Sequence, residues 1–250
     1  MFRPRVIPVL LLRGDALVKT RKFGNDRYIG DPINAVRIFN DLKADELVFL
    51  DIMASRQNRT VSLDFVKKVG EESDMPFAVG GGIRTLEDIR AILGAGAEKV
   101  VLNTYAASNP DLVEQAARAF GSSTIVVCID VKKNLLGRPR TWIFGGTKST
   151  GHSPEEFARL VEQKGAGEII IQSISRDGMM EGYDIDLIRE VSDSVAIPVI
   201  ALGGAGSPDH LRRAHVEGHA AGLAAGSLFV FHGPRRGVLI NYPERSEVAL

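Results

Sequence analysis

The chain contains two copies of one sequence pattern, and this internal repeat limits the folds that it can adopt. The stretch VGGGIRTLEDIRAILGAGA at Val79–Ala97 resembles ALGGAGSPDHLRRAHVEGHA at Ala201–Ala220. Likewise, ELVFLDI from Glu46 resembles EIIIQSI from Glu168. Both pairs share an offset of 122 positions in a chain of 250 residues. We therefore expect two similar halves of one fold.

Short apolar runs alternate with segments of helical spacing along the chain. The predicted strands are Val6–Leu11, Glu46–Leu50, Phe77–Val79, Lys99–Leu102, Thr124–Asp130, Glu168–Gln172, Val199–Ala201 and Gly222–Ala225. The predicted helices are Pro32–Leu42, Ser62–Glu72, Leu86–Leu93, Leu112–Phe120, Pro154–Lys164, Ile185–Val191 and Pro208–Glu217. Helix N-cap signals occur at Asp31, Thr85, Ser153 and Ser207. This alternation predicts an α/β protein whose parallel sheet closes into a (β/α)8 TIM barrel.

The repeat divides the predicted barrel into two half-barrels of four strand–helix units each. We expect a single domain over residues 1–250, with half-barrels at about 1–121 and 122–232 and a C-terminal tail at about 233–250. The first and fifth strands then become equivalent. The fifth ends on Asp130, whereas the first has Leu11 at the matching place.

Composition excludes several classes of protein. Lys plus Arg and Asp plus Glu each total 31, so no net charge attracts nucleic acid or an acidic membrane surface. No run approaches the roughly 18 apolar residues of a membrane span, and the single Cys128 allows no internal disulfide. His210, His215 and His219 fit a solvated helix face better than a metal site. We expect a cytoplasmic protein with no metal and no cofactor.

Two glycine-rich loops follow predicted strands and open helices. The first glycine loop is Gly80–Thr85 and the second is Gly203–Ser207. Each is followed, about one strand later, by a small polar pair, Asn103-Thr104 and Gly226-Ser227. Bare backbone amides beside a helix N-terminus bind phosphate, although a tight turn alone also explains glycine. Because the pairing occurs twice, we expect a ligand that is phosphorylated at both ends.

Three acidic residues lie at predicted strand ends, where the chemistry of a TIM barrel is located. They are Asp51, Asp130 and Asp177. Each could serve as a general acid or base, or could order its loop by accepting backbone hydrogen bonds. The two interpretations are equally weighted for Asp51. Catalysis is the favoured interpretation for Asp130. For Asp177, a structural role in a turn is favoured first and phosphate binding second.

Four ionisable residues stand at the opposite ends of strands one, two, four and six. We call Arg5, Glu46, Lys99 and Glu168 the charge ring. Each alone is typical of a solvated strand end. Together, two cations and two anions could also close the bottom of the barrel, the face that mainly serves stability.

The chain resembles the cyclase subunit family of imidazole glycerol phosphate synthase (HisF-like) over residues 1–232. The matching motifs are DELVFLDI, VGGGI, GAGAEKV, Asn103-Thr104, VVCIDVK, GAGEIIIQSISRDGMMEGYD and GGAG. This resemblance implies a TIM barrel that pairs with a glutaminase subunit at its bottom face. Ammonia would then pass through the barrel to a diphosphate substrate at the top, to yield imidazole glycerol phosphate and an aminoimidazole ribotide.

The resemblance also assigns roles to individual residues. It implies phosphate binding by Gly82, Asn103, Thr104, Asp177, Gly178, Gly204 and Ser227. The charge ring, Arg5, Glu46, Lys99 and Glu168, corresponds to the family's ammonia gate. Lys19 and Phe23 match loop residues, and Asp130 matches one of the two catalytic aspartates.

The second catalytic aspartate is missing, because Leu11 stands at its position. The family pattern DVKDGRVVK reads LLRGDALVK here, and Asp15 lies four residues further on in the turn. Segments such as DRYIGDPINAVRIFN, GGTKSTGHSPEEFA and AAGSLFVFHGPRRGVLINYP resemble a divergent branch of the family. That branch is linked to acetamidino modification of sugars in surface polysaccharides. Ser175 replaces an acid that is usual in the 171–178 loop, and an extra residue near Gly218–Gly226 shifts the match to Ser227.

These features favour an ammonia-channelling barrel that pairs with a glutaminase and supplies ammonia to a separate ATP-dependent amidotransferase acting on a nucleotide sugar. The first alternative is an active cyclase subunit of histidine biosynthesis, using Asp130 with a displaced Asp15. The second is a non-catalytic scaffold that activates the glutaminase. A single-chain sugar-phosphate isomerase is disfavoured, since it needs no charge ring. The sequence leaves the final ammonia acceptor and the oligomeric state open.

Overall fold

The computed structural model describes residues 3–244 and 248, so the predicted tail lies partly outside the described residues. The strands are β1 (Arg5–Arg13), β2 (Ala16–Arg21), β3 (Gly24–Gly30), β4 (Leu47–Asp51), β5 (Phe77–Gly80), β6 (Lys99–Leu102), β7 (Ile125–Lys133), β8 (Pro139–Ile143), β9 (Lys148–Ser149), β10 (Glu168–Ser173), β11 (Val199–Leu202), β12 (Gly222–Ala225), β13 (Phe231–His232) and β14 (Gly237–Val238). The helices are α1 (Pro32–Asp41), α2 (Leu63–Glu72), α3 (Leu86–Gly94), α4 (Thr104–Ser108), α5 (Asp111–Phe120), α6 (Pro154–Gln163), α7 (Ile185–Ser192), α8 (Pro208–Val216) and α9 (Ser227–Val230), with a 3₁₀ turn at Ser122–Thr124.

Eight parallel strands form a closed barrel, which confirms the predicted (β/α)8 fold. Their order around the barrel is β1, β4, β5, β6, β7, β10, β11 and β12. The pairing of β12 with β1, from Arg5↔Gly222 to Pro8↔Ala225, closes the sheet. Parallel neighbours need a crossover connection, and α1, α2, α3, α5, α6, α7 and α8 provide the seven connections.

Both faces of the barrel sheet are apolar. Ile7, Val9 and Leu11 of β1 point into the barrel interior, whereas Val6 and Leu10 pack beneath the surrounding helices. Burial on both faces explains why the barrel strands read as continuous apolar runs rather than as alternating patterns. Side chains alternate between the two faces of a strand, so inward-pointing polar residues at the strand ends lie either at the mouth or at the bottom of the barrel.

The predicted N-caps are confirmed. Asp31 and Ser207 accept backbone N–H groups through their side chains at the starts of α1 and α8. Thr85 and Ser153 form capping boxes, in which the side chain of the third helical residue bonds back to the cap backbone. These caps fix where α3, α6 and α8 begin relative to the loops at the mouth.

Two antiparallel extensions follow equivalent strands of the two half-barrels, and the sequence pattern does not predict them. β1 continues to Arg13 and returns as β2 and β3. β7 continues to Lys133 and returns as β8, followed by β9. The predicted ends of these barrel strands, at Leu11 and Asp130, are therefore too early. The extensions mix polar residues with apolar ones, so they lack the apolar run that marks a barrel strand.

Part of the predicted tail packs on the barrel. β13 and β14 form a short hairpin, and the Tyr242 hydroxyl donates to the Val6 carbonyl over 2.9 Å. The same hydroxyl accepts the Asp45 backbone N–H over 3.1 Å. Residues 231–242 thus run from the mouth towards the bottom of the barrel. In the part of the chain that the structure describes, no helix combines the length and the apolar character of a membrane span.

Candidate functional site

A cavity of about 350 Å³ opens at the carboxyl ends of the barrel strands, and we call it the mouth cavity. Parallel strands end together at this face, so their last inward side chains converge. Of the predicted site residues, the lining includes Gly82, Asn103, Thr104 and Asp130. Phe23, Asp51 and Leu11 also line it.

Asp130 is a buried acid that lines the mouth cavity. It is buried on β7, and its carboxylate accepts hydrogen bonds from Asn103 Nδ2 at 3.2 Å and Cys128 Sγ at 3.6 Å. Burial raises the pKa of Asp130 to about 7, with a smaller contribution from the negative charge of Asp177. A carboxyl group with this pKa can accept or donate a proton near neutral pH.

Leu11 forms the wall between the mouth cavity and a second, smaller cavity. Its side chain is 8% exposed, and Leu11 pairs with Leu50 of β4 and with Val18 of β2. Asp15 is exposed in the turn between β1 and β2 and does not line the mouth cavity. The position of Asp15 therefore gives no support to the displaced-acid version of the cyclase alternative.

Asp51 orders its own loop. Its Oδ1 accepts the backbone N–H groups of Met53 and Ala54, at 3.0 and 3.1 Å. Arg59 donates to both carboxylate oxygens, at 2.6 and 3.1 Å. The four bonds favour the structural interpretation of Asp51, because they occupy both oxygens of its carboxylate.

The second cavity lies at the second glycine loop and has a volume of only about 20 Å³, room for about one water molecule. Its lining includes the predicted residues Lys19, Asp177, Gly178, Gly204 and Ser227. The Lys19 ammonium group projects into this region and donates to the Val9 carbonyl. Burial lowers the pKa of Lys19 to about 8, partly offset by Asp177. The two halves of the mouth therefore differ in free volume, despite the repeat.

Asp177 connects the first loop of the barrel to the sixth. Its Oδ2 accepts the Thr20 hydroxyl at 2.7 Å and the Phe23 backbone N–H at 3.3 Å, and its carbonyl accepts the Lys22 N–H at 3.0 Å. Burial raises the pKa of its carboxyl group. Asp177 thus holds the β2–β3 hairpin over the second glycine loop.

Close backbone packing alone requires two of the predicted phosphate-site glycines. Gly82 has a φ of +65°, and a Cβ there would lie 1.9 Å from the Arg59 carbonyl oxygen. Gly204 has a φ of +113°, and its Cβ would lie 2.2 Å from the Gly182 carbonyl oxygen. Both glycines are therefore needed whether or not a phosphate binds.

Asn103 and Thr104 form a hydrogen-bonded pair at the end of β6. Thr104 Oγ1 lies 3.2 Å from Asn103 Oδ1, and it also accepts the Phe144 backbone N–H at 3.1 Å. Asn103 Nδ2 donates to the Cys128 carbonyl as well as to Asp130. These bonds connect Asp130 to the loop after β8.

The charge ring assembles at the bottom of the barrel, where its four side chains contact one another. Lys99 Nζ lies 2.9 Å from Glu168 Oε2 and 3.3 Å from Glu46 Oε1, and Arg5 pairs with both glutamates. Glu46 is 3% exposed. Burial raises the pKa of Glu46, and the positive charges of Arg5 and Lys99 oppose that shift.

The barrel interior between the charge ring and the mouth cavity is almost entirely aliphatic. Its buried residues are Ile7, Val9, Val48, Ala78, Val101, Val126, Cys128, Ile170, Ile200 and Ala224. An apolar interior favours a neutral molecule over an ion, because an ion loses its hydration there without compensation.

Two residues at the mouth of the barrel are not predicted from the sequence. Gln172 is buried at the end of β10, lines both cavities and lies 3.9 Å from Cys128 Sγ through its Oε1. Thr20 is the hydroxyl donor to Asp177. The pairing of β7 with β10 could have identified Gln172 as a mouth residue, since it places Gln172 beside Asp130 in the sheet. Thr20 carries no such signal, because it lies on the unpredicted strand β2.

The closed barrel, its acid-lined mouth cavity and its charged bottom define a (β/α)8-barrel protein with its site at the carboxyl ends of the strands. The family model described as "Histidine biosynthesis protein" matches residues 5–233. The chain therefore belongs to the histidine biosynthesis protein family.

The relatives of this chain carry the names of synthase subunits. "Putative imidazole glycerol phosphate synthase subunit HisF" of Leptospira borgpetersenii is 46% identical over 248 residues, 99% of this chain and 98% of the relative. "Putative imidazole glycerol phosphate synthase subunit hisF2" of Pseudomonas aeruginosa is 46% identical over 98% of this chain and 97% of the relative. "Imidazole glycerol phosphate synthase subunit HisF" of Alkaliphilus metalliredigens is 45% identical over 93% and 92%. These matches show that the chain is HisF-like.

Proposed function

We propose that this chain is an ammonia-conducting barrel subunit that does not act as a cyclase. It binds a glutaminase at the bottom of the barrel, in the cytoplasm, and conducts ammonia to the mouth cavity. There the ammonia passes to an ATP-dependent amidotransferase that forms an acetamidino group on a nucleotide sugar for surface polysaccharide. The observation that carries the proposal is Leu11, an alkyl side chain on β1 at the position equivalent to that of Asp130 on β7.

The charge ring and the apolar interior support ammonia entry. Within the ring, Arg5 and Lys99 each pair with both Glu46 and Glu168, so a small displacement of one cation would open the centre of the bottom face. Neutral ammonia can then enter the aliphatic interior without the desolvation penalty of ammonium.

The mouth of the barrel supports the loss of cyclase chemistry. Acid–base catalysis on a carbon–nitrogen ring closure uses two proton-transferring groups, and only Asp130 remains of the family's pair. A diphosphate substrate would also need the second glycine loop, where Lys19 and Leu11 leave about 20 Å³. The mouth of the barrel thus has free volume at the first glycine loop only, whereas the repeat predicts two phosphate sites.

The cyclase of histidine biosynthesis is the second candidate. Asp130, with its pKa near 7, and the names of the relatives favour it. A cyclase assay separates the two candidates: the purified chain, the diphosphate substrate and ammonium chloride are mixed, and imidazole glycerol phosphate is measured by mass spectrometry. Ammonium replaces the glutaminase, so that a weak partner does not hide the activity.

We expect no product from the wild type, and a measurable gain from Leu11→Asp. Leu11→Asn is the matched control, because it has the size of Asp but no ionisable group, and it should give no product. Imidazole glycerol phosphate from the wild type at the rate of an active cyclase subunit would refute the proposal. A product from Leu11→Asn equal to that from Leu11→Asp would show that the missing acid is not the cause.

A further inference from the structure

The extension of the second half-barrel carries a local excess of positive charge. We call residues 131–150, which contain the end of β7 with β8 and β9, the basic arm. No acidic residue occurs between Asp130 and Glu155. The cations of the basic arm are Lys132, Lys133, Arg138, Arg140 and Lys148. The balanced charge of the whole chain hides this concentration.

The basic arm is an ordered structure. Lys133 pairs with Pro139 across the antiparallel ladder, and the Trp142 indole N–H donates to the Lys132 carbonyl over 2.9 Å. At the tip, Asn134 Oδ1 accepts the N–H groups of Leu136 and Arg138, both at 3.0 Å. These bonds thus order the backbone that carries the charged side chains.

In the described part of the chain, no carboxylate lies within ion-pair distance of a basic-arm cation, although Arg140 interacts with Glu156 through its charge at longer range. Among residues 3–244 and 248, none of the five forms an ion pair. Lys132 and Arg140 are directly opposite in the sheet, where like charges disfavour a strand pair. Lys132 Nζ lies over the Trp142 ring, 4.9 Å from its centroid, and this contact offsets part of the repulsion. By contrast, Arg13 on the first extension pairs with Asp26. An acidic binding partner would relieve the repulsion within the basic arm.

Two leucines project from the tip of the basic arm. Leu135 is 106% exposed and Leu136 is 79% exposed, and Lys133 and Arg138 flank them. Single exposed leucines are common on protein surfaces. An adjacent pair on an ordered hairpin tip, surrounded by unpaired cations, instead has the chemistry of an interface anchor with a charged rim.

The base of the basic arm borders the mouth cavity. The Phe144 N–H donates to Thr104 Oγ1, and Arg56 Nη2 donates to the Gly145 carbonyl over 3.0 Å. Gly145 itself lines the mouth cavity. A molecule bound to the arm would therefore stand beside the exit of the barrel.

We propose that the basic arm is the docking site for the ammonia-consuming amidotransferase, through an acidic protein surface with an apolar pocket for Leu135 and Leu136. The proposal rests on the proposed function, since an uncovered mouth would release ammonia into water. A nucleic acid is disfavoured as the occupant, because a phosphate backbone offers no pocket for the leucines. A lipid surface is disfavoured because it holds no ammonia acceptor at the exit.

The test measures binding of a purified ATP-dependent amidotransferase that forms acetamidino groups on nucleotide sugars to the complex of this chain with its glutaminase. Biolayer interferometry compares the wild type with Lys133→Glu/Arg138→Glu and with Leu135→Ser/Leu136→Ser. The control is Lys67→Glu/Arg159→Glu, which reverses two exposed charges on α2 and α6. Vesicles of phosphatidylglycerol and phosphatidylcholine serve as the lipid probe.

We expect both arm variants to bind the amidotransferase about tenfold more weakly or worse, with affinity that falls as salt rises. The control should bind like the wild type, and glutaminase stimulation should be unchanged in all variants. Equal binding by the arm variants, or arm-dependent binding to vesicles without binding to the amidotransferase, would overturn the proposal. Acetamidino product from a wild-type complex that shows no binding would overturn docking alone. Binding that depends on the arm, without any acetamidino product, would uphold docking and contradict the proposed function.

Discussion

Replacement of Lys99 by Met tests whether the charge ring is a coupled network. Lys99 is 18% exposed and contacts both Glu46 and Glu168. Removal of one partner from a fully buried ion pair costs about 3–5 kcal/mol. Because Arg5 still contacts both glutamates and Lys99 is partly exposed, we expect the free energy of unfolding to fall by about 2 kcal/mol. For a chain of this length, the melting temperature should fall by about 4–8 °C.

The loss should also depend on pH. Burial already raises the pKa of Glu46, and removal of the Lys99 charge raises it further. A carboxyl group with a folded-state pKa above its unfolded pKa destabilises the fold as pH rises through that interval. The deficit of Lys99→Met should therefore be smaller at pH 5 than at pH 8.

Urea denaturation, followed by circular dichroism at pH 5 and pH 8, measures both effects. Lys67→Met on α2 is the control, because Lys67 is 70% exposed and lies 3.9 Å from Glu71; its effect should stay within about 0.5 kcal/mol. If Lys99→Met lowered the free energy of unfolding equally at both pH values, or not at all, the idea that the charge ring is a coupled network would be refuted. With glutaminase present, Lys99→Met should lower glutamine-dependent ammonia transfer, whereas a pure scaffold predicts normal transfer.

Four further substitutions have defined outcomes. Asp130→Asn should raise the free energy of unfolding by about 4 kcal/mol above pH 7, because the raised pKa of Asp130 makes its ionised form costly in the folded state. This gain should vanish near pH 4, where the carboxyl group is protonated, and urea titrations at both pH values measure it. Gly82→Ala should cost at least about 2 kcal/mol in thermal denaturation, because its Cβ meets the Arg59 carbonyl, whereas Gly94→Ala in α3 should stabilise by about 0.5–1 kcal/mol. Tyr242→Phe should cost about 1–2 kcal/mol in the same assay, since its hydroxyl makes two backbone hydrogen bonds.

The barrel is predictable because burial on both faces produces continuous apolar runs, which the interior and the helix layer both require. The convergence of Asn103 and Asp130 at the mouth is predictable for a related reason, since neighbouring parallel strands end at one face. The assembly of Arg5, Glu46 and Lys99 at the other face follows from the same geometry.

The extensions and their contacts are not predictable in this way. β3 is largely exposed, whereas β2 buries the polar residues Lys19 and Thr20. The position of this hairpin depends on the tertiary bonds from Thr20 and Phe23 to Asp177. Without that hairpin, nothing in the sequence places the Lys19 ammonium group beside the second glycine loop. The difference in volume between the two halves of the mouth therefore appears only in three dimensions.

The central claim is that ammonia from glutamine travels through this barrel to an acetamidino group. The most direct measurement supplies glutamine labelled with ¹⁵N in its amide to the chain, its glutaminase, the amidotransferase, ATP and the nucleotide sugar, in an excess of unlabelled ammonium. Mass spectrometry then reads the label in the product. We predict that the acetamidino nitrogen is mostly ¹⁵N. A label diluted to the level of the bulk ammonium, or product formed equally well without this chain, would contradict the account.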